Sequence, residues 1–122
     1  MDPIRDQITS PLMNNICLAM NQMRLLDPEI PGQVMFVFFY VAAHNKCHKQ
    51  AIEQDLKLSV ASASRCCDYL SAQHRLGKPG LNLIEKRQDP SNRRRIELHL
   101  TNQGEVLADQ IKEILYGMAK SR

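Results

Sequence analysis

Two groups of residues carry recognisable chemistry. Between Arg75 and Arg95 stand seven basic residues, Arg75, Lys78, Lys86, Arg87, Arg93, Arg94 and Arg95, opposed only by Glu85 and Asp89. That window carries a formal +5 in a chain whose total is +3, so the remainder sums to −2. A basic segment on a slightly acidic body is the charge layout of a nucleic-acid binder. The bland alternative is a solvated loop rich in lysine and arginine. The second group is Ser59, Ala61, Ser62 and Arg65. A helix that enters the major groove needs small residues at its N-terminus and a few polar groups facing the bases, and these four meet that description. Arg65 can bond a guanine through two donors; the competing reading pairs it with Asp68 on the same helix face. Ser64 and Tyr69 are placed for phosphate contacts, and Lys46, Lys49, Lys86 and Arg87 for phosphate neutralisation, which raises affinity without specifying sequence.

Positioning these groups requires a scaffold, and the apolar spacing outlines one. Ser10 and Pro11 suit an N-cap and first helical position, and Leu12, Ile16, Ala19, Met20 and Met23 recur at helical spacing to about Leu26. Pro28 and Pro31 mark a break. Gln33 to Ala43 is read as a helix, although its β-branched and aromatic content also suits a buried strand. A polar turn from His44 to Lys49 leads to a short helix from about Gln50 to Lys57, burying Ala51, Ile52 and Leu56. Ser59 caps the next helix, with Val60, Ala63, Cys67 and Leu70 as its apolar face. Two short helices around a tight turn at Leu58 and Ser59 form a helix-turn-helix. Beyond Gly77, Pro79 and Gly80 the period changes to two: Ile96, Leu98 and Leu100 alternate with polar residues. Leu81 to Arg87 supplies the partner strand, and Asp89-Pro90-Ser91-Asn92 suits a type I turn. A last helix starts near Thr101 or Asn102, with Asn102 and Glu105 as an approximate capping box. Val106, Leu107, Ile111, Ile114, Leu115 and Met118 form its stripe.

Composition narrows the class. A chain of 122 residues, 43% hydrophobic and 24% charged, suits one soluble globular domain. The longest apolar run, Val34 to Ala43, is about half of a membrane span, and no signal peptide is read. The four cysteines are therefore expected as free thiols in a reducing cytoplasm. Buried packing is the preferred reading for Cys17, core for Cys67 and half-exposure for Cys66. His44, Cys47 and His48 are potential zinc ligands, but no fourth ligand is evident, so a polar turn is preferred and no metal or cofactor is assigned. The histidines at 44, 48, 74 and 99 frame no nucleophile and there is no phosphate-binding glycine loop, so no enzyme is expected.

Asp89-Pro90-Ser91-Asn92-Arg93-Arg94-Arg95, followed by Leu98-His99-Leu100-Thr101 and Gly104, resembles the wing signature of the MarR (multiple antibiotic resistance regulator) family. Ala51 to Leu58, with Ser64-Arg65, Asp68 and Leu70, is similar to its helix-turn-helix, and the resemblance covers roughly residues 33 to 118. Asn92 stands where the family usually has an aspartate, and the segment Leu76 to Gly80 is longer than usual. The resemblance implies an α+β, mainly helical winged helix-turn-helix with a two-stranded wing. It implies one domain over 1–122, with dimerisation helices at about 11–26 and 101–120 and a DNA-binding lobe at about 33–100. Arg94 matches the residue that enters the minor groove, with Arg93 and Arg95 as backbone neighbours. The expected function is a homodimeric regulator of transcription that binds double-stranded DNA. Alternatives are a winged-helix adaptor that binds protein, or a regulator that responds to a small molecule or redox signal. For an effector, Met35, Phe36, Phe39 and Tyr40 could line a pocket or belong to the core.

Overall fold

The computed structural model describes residues 7–44, 46–72 and 77–120, with side chains to residue 117. Arg75, Leu76, His74 and the Met118 side chain, all named above, lie outside the described residues. Helix α1 (Pro11–Leu26) begins where Ser10 Oγ accepts a hydrogen bond from the Met13 amide at 3.3 Å. Helix α2 (Gly32–Ala43) resolves the ambiguous segment. Its β-branched and aromatic content reflects a broad buried face, since Val34, Met35, Val37, Phe38 and Val41 are all interior, while Gln33, Phe36 and Ala43 lie exposed on the other side.

Strand β1 (Cys47–His48) and helix α3 (Lys49–Asp55) follow. The chain then reverses through Lys57, whose φ of 54° lies in the left-handed region, and the Leu58 amide returns to the Glu53 carbonyl at 3.1 Å. That is a helix C-terminal closure made without glycine. Helix α4 (Val60–Leu70) starts at Ser59, whose Oγ accepts from the Ser62 amide at 3.0 Å. Strands β2 (Ile84–Asp89) and β3 (Asn92–Leu100) form the hairpin, and helix α5 (Asn102–Lys120) closes the described chain. The sheet is antiparallel in the order β1-β3-β2, so it has a third strand where a polar turn was expected. Cys47 pairs with Leu98 and His48 with Glu97. Two residues are too few to display a period.

Several expectations are corrected. The partner strand starts at Ile84, not Leu81, because Gly80 to Leu83 are used elsewhere. Their amides bond the Ala72, Tyr69, Ser71 and Leu70 carbonyls at 2.8–3.2 Å and so satisfy the C-terminal end of α4. Gly80 is required there, since a Cβ would lie 1.8 Å from the Ser71 carbonyl oxygen. The cap of α5 is Thr101, whose Oγ1 accepts from the Gly104 amide at 3.0 Å and donates to the Asn82 carbonyl at 2.7 Å. Val60 is exposed, because the first turn of α4 projects beyond the core, whereas Cys66 is buried beside Ala63 and Leu70, three and four residues away on the same face. Cys17 is exposed, since α1 buries Ala19 and Met23 and position 17 lies just over half a turn from Ala19, on the opposite side of the helix.

The core joins Met23, Val37, Phe38, Val41, Ile52, Cys67, Leu70, Leu83, Ile84 and Leu98. Helices α1 and α5 pack together, and the Asn15 side-chain amide donates to the Ile114 carbonyl at 3.2 Å. Their stripes are only partly used: Leu107 and Ile111 are buried, while Leu12, Ile16, Met20, Val106 and Leu115 remain exposed. Among the described residues no helix is long and apolar enough to cross a membrane.

Candidate nucleic-acid interface

The wing is built by polar bonds at its turn. Asp89 Oδ1 accepts from both the amide and the hydroxyl of Ser91, at 2.9 and 2.8 Å, which folds Pro90 and Ser91 back on themselves. These bonds, with a further one from His48 to Oδ2 at 2.9 Å, hold the Asp89 carboxyl down at about 2. Asn92 Oδ1 accepts from the Arg94 amide at 3.0 Å. The neutral amide thus still fixes the backbone of the arginine it precedes, although it brings no charge. The Gln88 side chain donates to the Arg93 carbonyl at 3.2 Å. With backbone and turn satisfied internally, Arg93, Arg94 and Arg95 are all exposed with their charges outward.

The recognition-helix candidates divide. Ala61 and Arg65 are exposed, while Ser62 and Ser64 are half-buried. Arg65 Nη2 donates to Ser62 Oγ at 3.1 Å, one turn back, so the two form a single polar group on the exposed side of α4. Asp68 receives Lys86 from β2, which clamps the recognition helix to the wing. Lys86, expected at phosphate, therefore has a structural partner. Arg87 donates to Glu85 at 3.2 Å with both groups more than half exposed, a pairing water easily replaces. Lys49 is likewise committed, to Glu53 at 2.7 Å.

Tyr69 departs from the expected phosphate-facing position. It is half-buried, and its hydroxyl donates to Asp27 in the link after α1. Burial, reinforced by the carboxylate, pushes that hydroxyl up to about 12 and keeps it a donor. Ser59 spends its hydroxyl on the helix cap. Burial also pushes the Cys67 thiol up to about 12 and raises Cys66, which leaves both inert.

One shallow cleft joins the parts. It is lined by Val60 at the start of α4, by Arg94, Arg95 and Ile96 of the wing, and by His48, Lys49, Gln50 and Glu53. Val60 was missed as a surface residue because its hydrophobicity and spacing both read as core. Another cleft, between the end of α1 and the start of α5, is mainly apolar and lined by Leu25, Leu26, Leu81, Leu83, Val106 and Leu107, with Gln22, Asn102, Gln103 and Gln110. None of Met35, Phe36, Phe39 and Tyr40 lines it; Met35 is core and Phe36 lies exposed on α2. The zinc candidates also separate. His44 stacks on Tyr40 with ring centroids 4.0 Å apart, and Cys47 and His48 are adjacent along β1, so their side chains leave opposite faces.

No protein-family model matches the chain, and no curated protein matches it by sequence. Solved structures do. The S. aureus MepR–DNA complex superposes with a TM-score of 0.69 at 18% identity, over 89% of this chain and 76% of that one. RV1404 from Mycobacterium tuberculosis gives 0.67 at 16% identity, over 89% and 69%. Streptococcus pneumoniae FabT in complex with DNA gives 0.63 at 18%, over 89% and 73%, and MarR gives 0.55 at 16%, over 88% and 82%. The wing signature, the helix-turn-helix and these superpositions agree: the chain has the winged-helix fold of the MarR-type proteins.

Proposed function

We propose that this protein is a sequence-specific regulator of transcription that binds double-stranded DNA as a homodimer. The observation that carries the reading is the cleft in which the first turn of α4 meets Arg94 and Arg95 of the wing. A helix in the major groove and an arginine in the adjacent minor groove need that juxtaposition, since the two grooves flank one phosphate backbone. Ala61, Ser62 and Arg65 then face base edges, with Arg65 bidentate to guanine, and exposed Val60 supplies an apolar contact for a thymine methyl. Arg93, Arg95 and Arg87 neutralise phosphates. Two solved structures with this fold, MepR and FabT, are DNA complexes, which supports the same reading here.

Homodimerisation rests on α1 and α5. Leu12, Met13 and Ile16 are 49%, 63% and 38% exposed, and Tyr116 on the partnering helix is 64% exposed. A second copy would cover that apolar surface and present two recognition helices to a pseudo-palindromic site. The cytoplasm follows as the compartment where a DNA-binding protein of this kind acts. The mainly apolar cleft between α1 and α5 favours a secondary, effector-responsive reading, because its few convergent amides suit a small organic ligand.

Selection of bound duplexes from a random library tests the function. The wild type should enrich a pseudo-palindromic motif, Arg65→Ala should relax it, and Arg94→Ala should weaken binding. No enriched motif even at low salt would replace this reading with that of a protein-binding adaptor.

A further inference from the structure

We propose that His48, Asp89 and Glu97 form a site for a divalent transition-metal cation that ties the wing to the entrance of the helix-turn-helix. The three residues come from three strands. His48 on β1 and Glu97 on β3 are cross-strand partners, so their side chains share a face, and Asp89 ends β2 beside them. His48 Nε2 lies 2.9 Å from Asp89 Oδ2, and one ligand atom from each of the three residues lies within 4.8 Å of the other two. Metal–ligand bonds of about 2.0–2.2 Å in tetrahedral array set ligand atoms roughly 3.3 Å apart. A small outward movement of His48 from Asp89 therefore makes room for the ion.

The groups behind the ligands are already arranged. Asp89 Oδ1 is occupied by the amide and hydroxyl of Ser91, which leaves Oδ2 as the oxygen that faces the site. Glu97 Oε1 lies 2.9 Å from Nε2 of His99, whose ring is buried, so one Glu97 oxygen is held while the other remains for the metal. Such outer partners fix ligand orientation in metal sites. The two carboxylates balance a 2+ charge, and His48 would ligate through Nε2, the metal taking the place of the proton that Nε2 donates to Asp89 Oδ2. Of the basic side chains on this face, Arg87 opposite Glu97 is turned to Glu85, and Arg95, two residues from Glu97 along β3, is exposed to solvent. One imidazole and two carboxylates with an open fourth position suit Zn²⁺ or Mn²⁺ and not a soft monovalent ion. The alternation of β1 puts the Cys47 thiol on the other face, outside this donor set. Occupancy would join β1, β2 and β3 through one ion and set the angle at which Arg93 to Arg95 leave the hairpin.

Metal-stripped full-length protein should take up one equivalent of Zn²⁺ by titration calorimetry. With Co²⁺ as a spectroscopic probe it should show ligand-field bands of nitrogen and oxygen ligation without a thiolate charge-transfer band. His48→Gln and Glu97→Gln should abolish uptake, and His99→Asn should weaken it about 10- to 100-fold by removing the outer partner of Glu97. Absence of uptake by the wild type, a thiolate band, or undiminished affinity in both His48→Gln and Glu97→Gln would overturn the site. The cobalt spectrum of the wild type decides even if a variant fails to fold. None of these readouts involves DNA, so the metal site stands or falls apart from the regulator reading.

Discussion

The wing and the α1–α5 face both direct to solvent what a folded chain usually pairs or buries, but they do so with opposite chemistry. At the wing, Ser91, Asn92 and Gln88 satisfy the turn and backbone, and three guanidinium groups stand free in water at little cost. On α1 and α5, Leu12, Met13, Ile16 and Tyr116 keep wet an apolar surface that gains about 25 cal/mol for every Å² covered. Charge in water awaits a partner that salt can compete away, whereas an apolar face awaits another apolar face and is indifferent to moderate salt. Under the proposed function, the contrast suits the wing to a polyanion and the helices to a second copy of the chain.

Breaking the apolar half should have the largest effect. The double variant Leu12→Glu, Ile16→Glu should sediment as a folded monomer and bind a palindromic duplex on the order of 100-fold more weakly, because linked half-sites lose their effective concentration. A dimer that survives both changes would move the interface off α1. Within the charged half, Arg65→Ala should cost about 1–3 kcal/mol of discrimination at one base pair while leaving non-specific affinity nearly unchanged, as read by competition between matched and mismatched duplexes.

Tyr69 sharpens the boundary between the two regions, since it lies on the recognition helix yet points to Asp27. Tyr69→Phe should leave DNA affinity within about twofold and cost about 1 kcal/mol of stability in urea denaturation at neutral pH. Its hydroxyl titrates at about 12 in the folded chain against an ordinary 10.0, so its contribution is complete below pH 10 and fades as pH rises through about 12. Wild type should therefore lose stability faster than Tyr69→Phe across that window; parallel curves would place the hydroxyl elsewhere. The smallest change is expected at the turn before α4. Lys57→Gly relieves a left-handed residue and should raise stability by up to about 1 kcal/mol without altering DNA binding, measured by thermal unfolding.

Most of the frame was legible where structure is local. The Ser10 and Ser59 caps, the period of α1 and α5, the alternation of Ile96, Leu98 and Leu100 and the Asp89–Asn92 turn all leave signals within a few residues. What escaped was set by long-range pairing. Strand β1 exists only because β3 offers it a ladder, and Leu81 to Leu83 resemble strand but are claimed by the carbonyls of α4. Within the proposed interface, the exposure of the arginine tip and of Arg65 agrees with their type and spacing. The commitments of Lys86 to Asp68 and Tyr69 to Asp27 were not legible, because those partners lie 18 and 42 residues away. Val60 shows the converse limit: an apolar residue at core spacing is surface when its helix turn overhangs the core.

The central claim, that the arginine tip and the recognition helix engage one duplex together, is tested most directly by the salt dependence of affinity for a selected site. The measurement compares wild type with Arg93→Ala, Arg94→Ala, Arg95→Ala combined in one chain. The plot of log affinity against log salt should be steep for the wild type and shallower in the variant by about 0.9 for each phosphate no longer neutralised. Equal slopes would mean that the wing does not touch the nucleic acid, and would contradict the interface described here.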